Sequence, residues 1–431
     1  MKARVPWLFI LLVMAASMSL VNCSPYSCNV TFGSTACTPS GSGLGGGGGG
    51  VGGTGGGGGS TPAAFAFAVD QNGTLNGYTL NSSAFQVTSG YTAPGIPSGD
   101  PGVGMVIAQK QFVYAVFEVE NKIYGWSLNA TTGALTLLSG FPLILSSSLG
   151  APIVTYNEYN VATNPDGTLL FISDTANFRI FVYQISTSGA LTAVTNSPFS
   201  TGLMQPGNLT ADGLGKYLYV TTSAGTHQGS EVLAYAIGTG ANVGVLTPVI
   251  GSPFAFPMWQ LQGDPSGAFL IGTSGNTTHF SGFDDKQLYV FAIQSTGTNA
   301  GAISEVSGSP FATQFSPFNI AVEPASSGGE FVYSFSINDA GTGYNPIEGF
   351  QLSTSTGTLT GISGSPFSGV ATGHWGQFDQ SGALLFVYSD VLGGATSTQL
   401  SALAVSSTGV LTQPIASLTL ATAGYWVVTD P

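Results

Sequence analysis

The sequence predicts an all-β fold, a seven-bladed β-propeller with four-stranded blades. Three observations predict it. One phrase recurs at a nearly constant spacing, short apolar runs alternate with Gly, Pro and Asp turns with no amphipathic helical window between them, and the two ends of the chain each hold part of one blade.

The recurring phrase is Gly, a small residue, Leu or Ile, then Thr or Ser. It stands at Gly133-Ala134-Leu135-Thr136, Gly189-Ala190-Leu191-Thr192, Gly244-Val245-Leu246-Thr247, Gly301-Ala302-Ile303-Ser304, Gly357-Thr358-Leu359-Thr360 and Gly409-Val410-Leu411-Thr412. Successive copies lie 56, 55, 57, 56 and 52 residues apart. A fixed period of this size marks a propeller or a solenoid.

Each copy has the same surroundings. Upstream runs an alternating segment such as Leu288 to Ile293, and downstream a Ser-Pro-Phe begins at Ser197, Ser252, Ser309 or Ser365. Further upstream stands a turn such as Asn164-Pro165-Asp166-Gly167 or Asp264-Pro265-Ser266-Gly267, followed by Leu169 to Ile172 or Phe269 to Ile271. One repeat therefore holds about four short strands, which is the content of a propeller blade.

The ends of the chain supply the remaining blade. Tyr425 to Asp430 matches an innermost strand running into its Asp-Pro turn, and the strands that would continue it are found at Ala63 to Val69, Gly73 to Leu80 and Phe85 to Thr88. Sharing one blade between the two ends closes the ring and removes sheet edges that would invite aggregation. Six further blades follow, giving a propeller over residues 61–431.

The residues before it read as an export and tethering apparatus. Lys2 and Arg4 precede the apolar run Val5 to Val21, which is at the lower limit for a membrane span and reads as a signal peptide over residues 1–22. Cys23 follows Leu20-Val21-Asn22, a lipobox-like setting with Asn22 where a small residue is usual, so lipidation at Cys23 and simple cleavage further along both stay open. Cys28 and Cys37 share the segment 23–40 and are candidates for a local disulfide in an oxidising compartment. Residues 41–60 are almost pure glycine and form a flexible tether, ~20 residues spanning ~25 Å.

Composition bounds the function. Only 6% of the 431 residues are charged, against about 25% in ordinary globular proteins. With Lys2 and Arg4 set aside, 5 Lys and Arg face 20 Asp and Glu, a net charge of about −15. So few cations cannot neutralise several phosphates together, which excludes nucleic acid as a partner. Contact with a membrane is expected only through the N-terminal anchor, and the chain is expected to be a monomer at the periplasm, outer membrane or cell surface, or secreted. The propeller contains no cysteine, which excludes thiol catalysis and Cys-ligated zinc within it.

The Tyr-Val and Phe-Val strands, the Asp-Pro-x-Gly turns, the Gly-x-Leu-Thr phrase and Ser-Pro-Phe resemble the bacterial propeller-lactonase family, over Thr61 to Pro431. The resemblance implies a seven-bladed propeller, and its best-known members hydrolyse 6-phosphogluconolactone. It also implies histidines at the starts of inner strands and basic residues for the phosphate. Here those positions read Tyr159-Asn160, Gly207-Asn208, Trp259-Gln260 and Phe318-Asn319, and a histidine stands only at His374-Trp375.

Counting four residues back from each turn gives the position that opens an innermost strand: Gly104, Asn160, Asn208, Gln260, Asn319, Trp375 and Trp426. These should form a ring at one mouth of the central channel. Carboxamides there offer donors and acceptors, while Trp375, Trp426, Tyr159 and Trp259 offer flat apolar faces. The mixture suits a neutral polyhydroxylated or cyclic ligand; alternatively the amides bond only channel backbone and water. His374 is the candidate general base. His279 with Asp284 and Asp285 reads as a solvated loop, so no metal and no cofactor is expected. Three functions follow: a ligand-binding or protein-interaction module, a lactone hydrolase using His374, or a structural cell-surface scaffold.

Overall fold

The computed structural model describes residues 64–430 except 71–74, 82, 88–101, 118–120, 146–160, 225–226, 275–284, 325–329, 337–343, 374, 390–397 and 421–423. For 69–70, 102–103, 223–224, 227–230, 398, 420 and 424–430 it describes the backbone alone. Cys23, Cys28, Cys37, the leader and the glycine tether lie outside the described residues, as do Tyr159, Asn160, His279, Asp284 and His374.

Seven antiparallel sheets succeed one another, each with four strands in sequential order and three of them carrying a short extra strand off the path. The first strands of blades 2 to 7 are Gly102–Ala108, Val161–Thr163, Gln205–Ala211, Met258–Gly263, Asn319–Val322 and Trp375–Phe378. Blade 1 is assembled from both parts of the chain: Ala64–Asp70, Leu75–Asn81 and Ala84–Val87 are completed by Gly424–Asp430, which pairs antiparallel with Ala64–Asp70. The strand Gly424–Asp430 in turn lies beside Gly102–Ala108 and Trp375–Phe378, so the first strands touch around the complete ring.

Packing explains the strand compositions. Among the described residues there are seven apolar clusters, each shared by two neighbouring blades, including one that joins Phe386 and Leu400 of blade 7 to Ala66 and Leu80 of blade 1. A second strand such as Phe112–Phe117, Leu169–Asp174 or Phe331–Phe335 is covered on both faces and is buried at every residue. That is why these segments read as unbroken apolar runs instead of alternating ones. Fully burying one such Phe contributes about 1.5–3 kcal/mol.

The repeated phrases are the fastenings between and within blades. The phrase glycines take positive φ, for example +79° at Gly189 and +75° at Gly409. A Cβ on Gly409 would also lie 2.6 Å from Ile362 Cδ1 and 2.7 Å from Phe331 Cδ1 of the preceding blade, so both backbone and space demand glycine there. In alternate interfaces a buried tyrosine of one blade donates its hydroxyl to the phrase glycine of the next: Tyr114 to Gly189 O at 2.7 Å, Tyr219 to Gly301 O at 3.0 Å and Tyr333 to Gly409 O at 2.6 Å.

Ser-Pro-Phe closes a gap in the outermost strand. That strand pairs with the end of the third strand, breaks, and returns to pair with its beginning at Phe199 or Phe311. In the break the serine hydroxyl accepts the third strand's orphan N–H: Ser197 from Val182 at 2.9 Å, Ser252 from Ala234 at 2.9 Å and Ser365 from Gly349 at 2.9 Å. Buried backbone donors are thereby satisfied without a continuous ladder. Among the described residues, no helix is long and apolar enough to cross a membrane.

Candidate functional site at the inner-strand openings

The innermost strand of a blade has a sheet partner on one side only, so every second N–H along it faces the axis and needs another acceptor. The carboxamides found from the sequence supply that acceptor across the blade boundary. Asn208 Oδ1 accepts from Leu261 N at 2.9 Å, Gln260 Oε1 from Ile320 N at 2.9 Å and Asn319 Oδ1 from Gly376 N at 3.4 Å. Two residues further along the same strands, Thr210 Oγ1 accepts from Gly263 N at 3.3 Å and Gln262 Oε1 from Val322 N at 2.7 Å. Blades 4, 5 and 6 are thus each stapled to the blade that follows.

Local irregularity aims these side chains. The strand register shifts between Pro206 and Leu209, between Met258 and Gln260, and between Gly102 and Gly104, so a bulge lies at the opening position in blades 4, 5 and 2. A bulge breaks the ladder and redirects a side chain. At Asn208 the displaced N–H is taken by Thr221 Oγ1 at 3.0 Å. In blade 2 the opening residue is Gly104, where a Cβ would lie 2.6 Å from Val161 Cγ2, leaving no room for a carboxamide.

Asn208, Gln260 and Trp375 line one cavity of about 700 Å³ with Gly104 and Gln262, so the structure brings these sequence-predicted positions together on the channel. Asn208 and Gln260 are 6% and 3% exposed. Their amide oxygens are engaged as above, whereas no described residue accepts from the amino group of Asn208, Gln260 or Gln262. Those amino groups are not sealed off, and they open onto the channel. Gln262 was missed by counting strand openings, although the two-residue side-chain period places it on the same face as Gln260.

The aromatic positions divide. Trp375 is half-buried against the cores of blades 1, 2 and 7 while also lining the channel. Trp259 does not line the cavity; its ring lies 5.8 Å from that of Phe318. It is the extra residue of the bulge between Met258 and Gln260, where simple alternation of faces does not hold. Asn319 is fully buried and is not among the cavity-lining residues, although its neighbour Ile320 is. Trp426 lies within the strand Gly424–Asp430, of which only the backbone is described.

Charge is held mainly in the turns. Asp212 accepts from the N–H groups of Lys216 and Tyr217, both at 2.6 Å, Asp264 from Phe269 N at 2.6 Å, and Asp379 from Leu384 N at 2.9 Å. Desolvation nevertheless raises the Asp212 carboxyl above its usual range. At the junction of blades 5 and 6, burial beside Asp264 and Glu323 pushes Glu330 up to about 7, and its Oε2 is buried with no hydrogen-bond partner. Among the described residues of the cavity lining the charged side chains are Lys110 and Asp166, both on turns at the far end of the inner strands. Among the described residues no group of His, Cys, Asp and Glu is arranged to hold a metal ion.

A family model described as lactonase, seven-bladed β-propeller, matches residues 99–240. The chain has a lactonase-like propeller fold. Its fold is similar to that of a Bacteroides uniformis protein described as a candidate 6-phosphogluconolactonase, with a TM-score of 0.61 at 14% identity over 86% of this chain and 100% of that one. A Pseudomonas aeruginosa periplasmic gluconolactonase aligns with a TM-score of 0.53 at 13% identity, over 85% of this chain and 99% of its own. No curated protein matches the chain. At such identities the likeness of the lactonase-like propeller to these structures is one of fold.

Proposed function

We propose that this lactonase-like propeller is an exported protein, tethered through its N-terminal segment, that binds a small carbohydrate-like molecule in its central channel. The observation that carries the reading is the pair Asn208 and Gln260. Each is more than nine-tenths buried, yet each turns an unpartnered amino group into a cavity of about 700 Å³. These two amino groups keep a donor capacity that no described protein acceptor uses and that a molecule in the cavity can take up. The cavity volume falls within the range of small-molecule sites. Trp375, from blade 7, lines the same cavity and supplies an apolar face of the kind that stacks on a sugar ring.

A second reading, a lactone hydrolase, draws on the periplasmic gluconolactonase among the similar folds and on His374, which directly precedes channel-lining Trp375 in sequence. One experiment separates the two. Purified protein is screened by thermal shift against monosaccharides, sugar acids and lactones, because a ligand of the folded form raises its melting temperature. Lactones are followed in parallel for ring opening. Binding without turnover supports the channel-binding module. Turnover that falls about 10² to 10⁴-fold in His374→Ala, with affinity retained, supports the hydrolase. No shift and no turnover with any compound sinks both.

A further inference from the structure

The carboxamides of the channel have a fixed polarity. A backbone N–H can be met only by an amide oxygen, so the bonds from Leu261, Ile320 and Val322 fix the oxygens of Asn208, Gln260 and Gln262 toward the next blade. What these three residues leave for a ligand is a set of amino groups, donors only. A polyol hydroxyl can meet such a group, but it also brings a hydrogen that must find an acceptor elsewhere. A carboxylate accepts only, offers about four lone-pair sites, and makes charge-assisted bonds roughly twice as strong as neutral ones.

We infer that the channel recognises a carboxylate group on its ligand, with Asn208, Gln260 and Gln262 as the specificity-determining residues. The inference rests on the channel-binding reading above and names the group that this site takes. The surrounding charges leave the selection to the amides. Lys110 and Asp166 have opposite signs and share the turn-end mouth, and the buried carboxylates of Asp212, Asp264 and Asp379 face the N–H groups of their own turns. The chain's net charge of −13 therefore does not bear directly on the donor-lined wall.

The test is calorimetric titration of the full chain with D-glucuronate and with D-glucose, which differ only by a carboxylate in place of a hydroxymethyl group. Glucuronate should bind about tenfold or more tightly, the effect of one hydrogen bond to a charged group. Asn208→Asp and Gln260→Glu keep an oxygen for Leu261 or Ile320 but replace the amino donor, and should abolish or reverse the preference. Circular dichroism establishes that the variants are folded. Gln262→Glu, at a half-buried position, provides the same comparison should a buried carboxylate unfold either of the others. Equal binding of glucose, or an undiminished preference in the folded variants, overturns the inference and leaves channel binding standing. It is also overturned when glucuronate fails to bind while another compound of the screen binds, whereas silence from the entire screen removes the channel reading too.

Discussion

Replacing Tyr114, Tyr219 or Tyr333 by Phe deletes a single hydroxyl from an interface between blades and nothing else. All three side chains are fully buried, and each hydroxyl lies 2.6 to 3.0 Å from a buried glycine carbonyl of the next blade. A typical net hydrogen bond contributes about 0.5–1.5 kcal/mol, and a buried acceptor left short of its donor costs about 1–3 kcal/mol. Each variant should therefore lose about 1–2 kcal/mol. The three bonds sit in separate interfaces, so the losses should add, to about 3–6 kcal/mol in the triple variant. Burial pushes all three hydroxyls well above the ordinary tyrosine range, so they remain protonated donors through moderately alkaline pH and the loss should be equal at pH 7 and pH 9. Urea unfolding followed by tryptophan fluorescence reads the midpoints, and an unchanged slope confirms comparable transitions. Single variants all within about 0.3 kcal/mol of the parent, or a triple variant no worse than a single, would refute the idea that these hydroxyls lock the blades.

Other perturbations follow from the same geometry. Gly409→Ala must adopt φ +75° with its Cβ 2.6 Å from Ile362, so it should lower the melting temperature more than any one Tyr→Phe change. Because the folded pKa of Glu330 is raised to about 7, the folded state holds that proton more tightly than the unfolded chain, and this contribution to stability is lost as pH rises from the usual carboxylate range through 7. Glu330→Gln should accordingly be more stable than the parent at pH 8, with the gap closing by pH 5; parallel melting profiles would count against it. Labelled palmitate should enter the protein in a lipidating bacterial host and be lost in Cys23→Ser, and equal labelling of both would remove the anchor.

The propeller was legible because its determinants are local and repeated. A phrase glycine needs positive φ, a turn aspartate needs nearby N–H groups, and the serine of Ser-Pro-Phe fills a break in its own blade, so each leaves a mark at a fixed spacing. The cavity-lining position of two opening residues was legible for the same reason: counting back from the turns reached Asn208 and Gln260. Its chemistry was not. In sequence a carboxamide offers both donor and acceptor, and only the neighbouring blade, more than fifty residues away, decides which half is already engaged. Trp259, although next to Gln260 in sequence, does not line its cavity, because it is the extra residue of a bulge whose direction a count along the chain does not give.

Blade 1 also fixes an order of assembly. Ala64–Asp70 is synthesised early, yet its partner Gly424–Asp430 lies some 360 residues later. At synthesis rates of ~5–20 residues per second, about 20 to 70 seconds separate the two. Throughout that interval Ala-Phe-Ala-Phe-Ala-Val, a segment without proline or charge, presents one side unpaired. Such a segment can template pairing with another copy of itself. The nascent chain is thus open to such pairing until its last strand is made, and crowding or heat during expression should reduce the yield of soluble protein well below the temperature at which the finished ring melts.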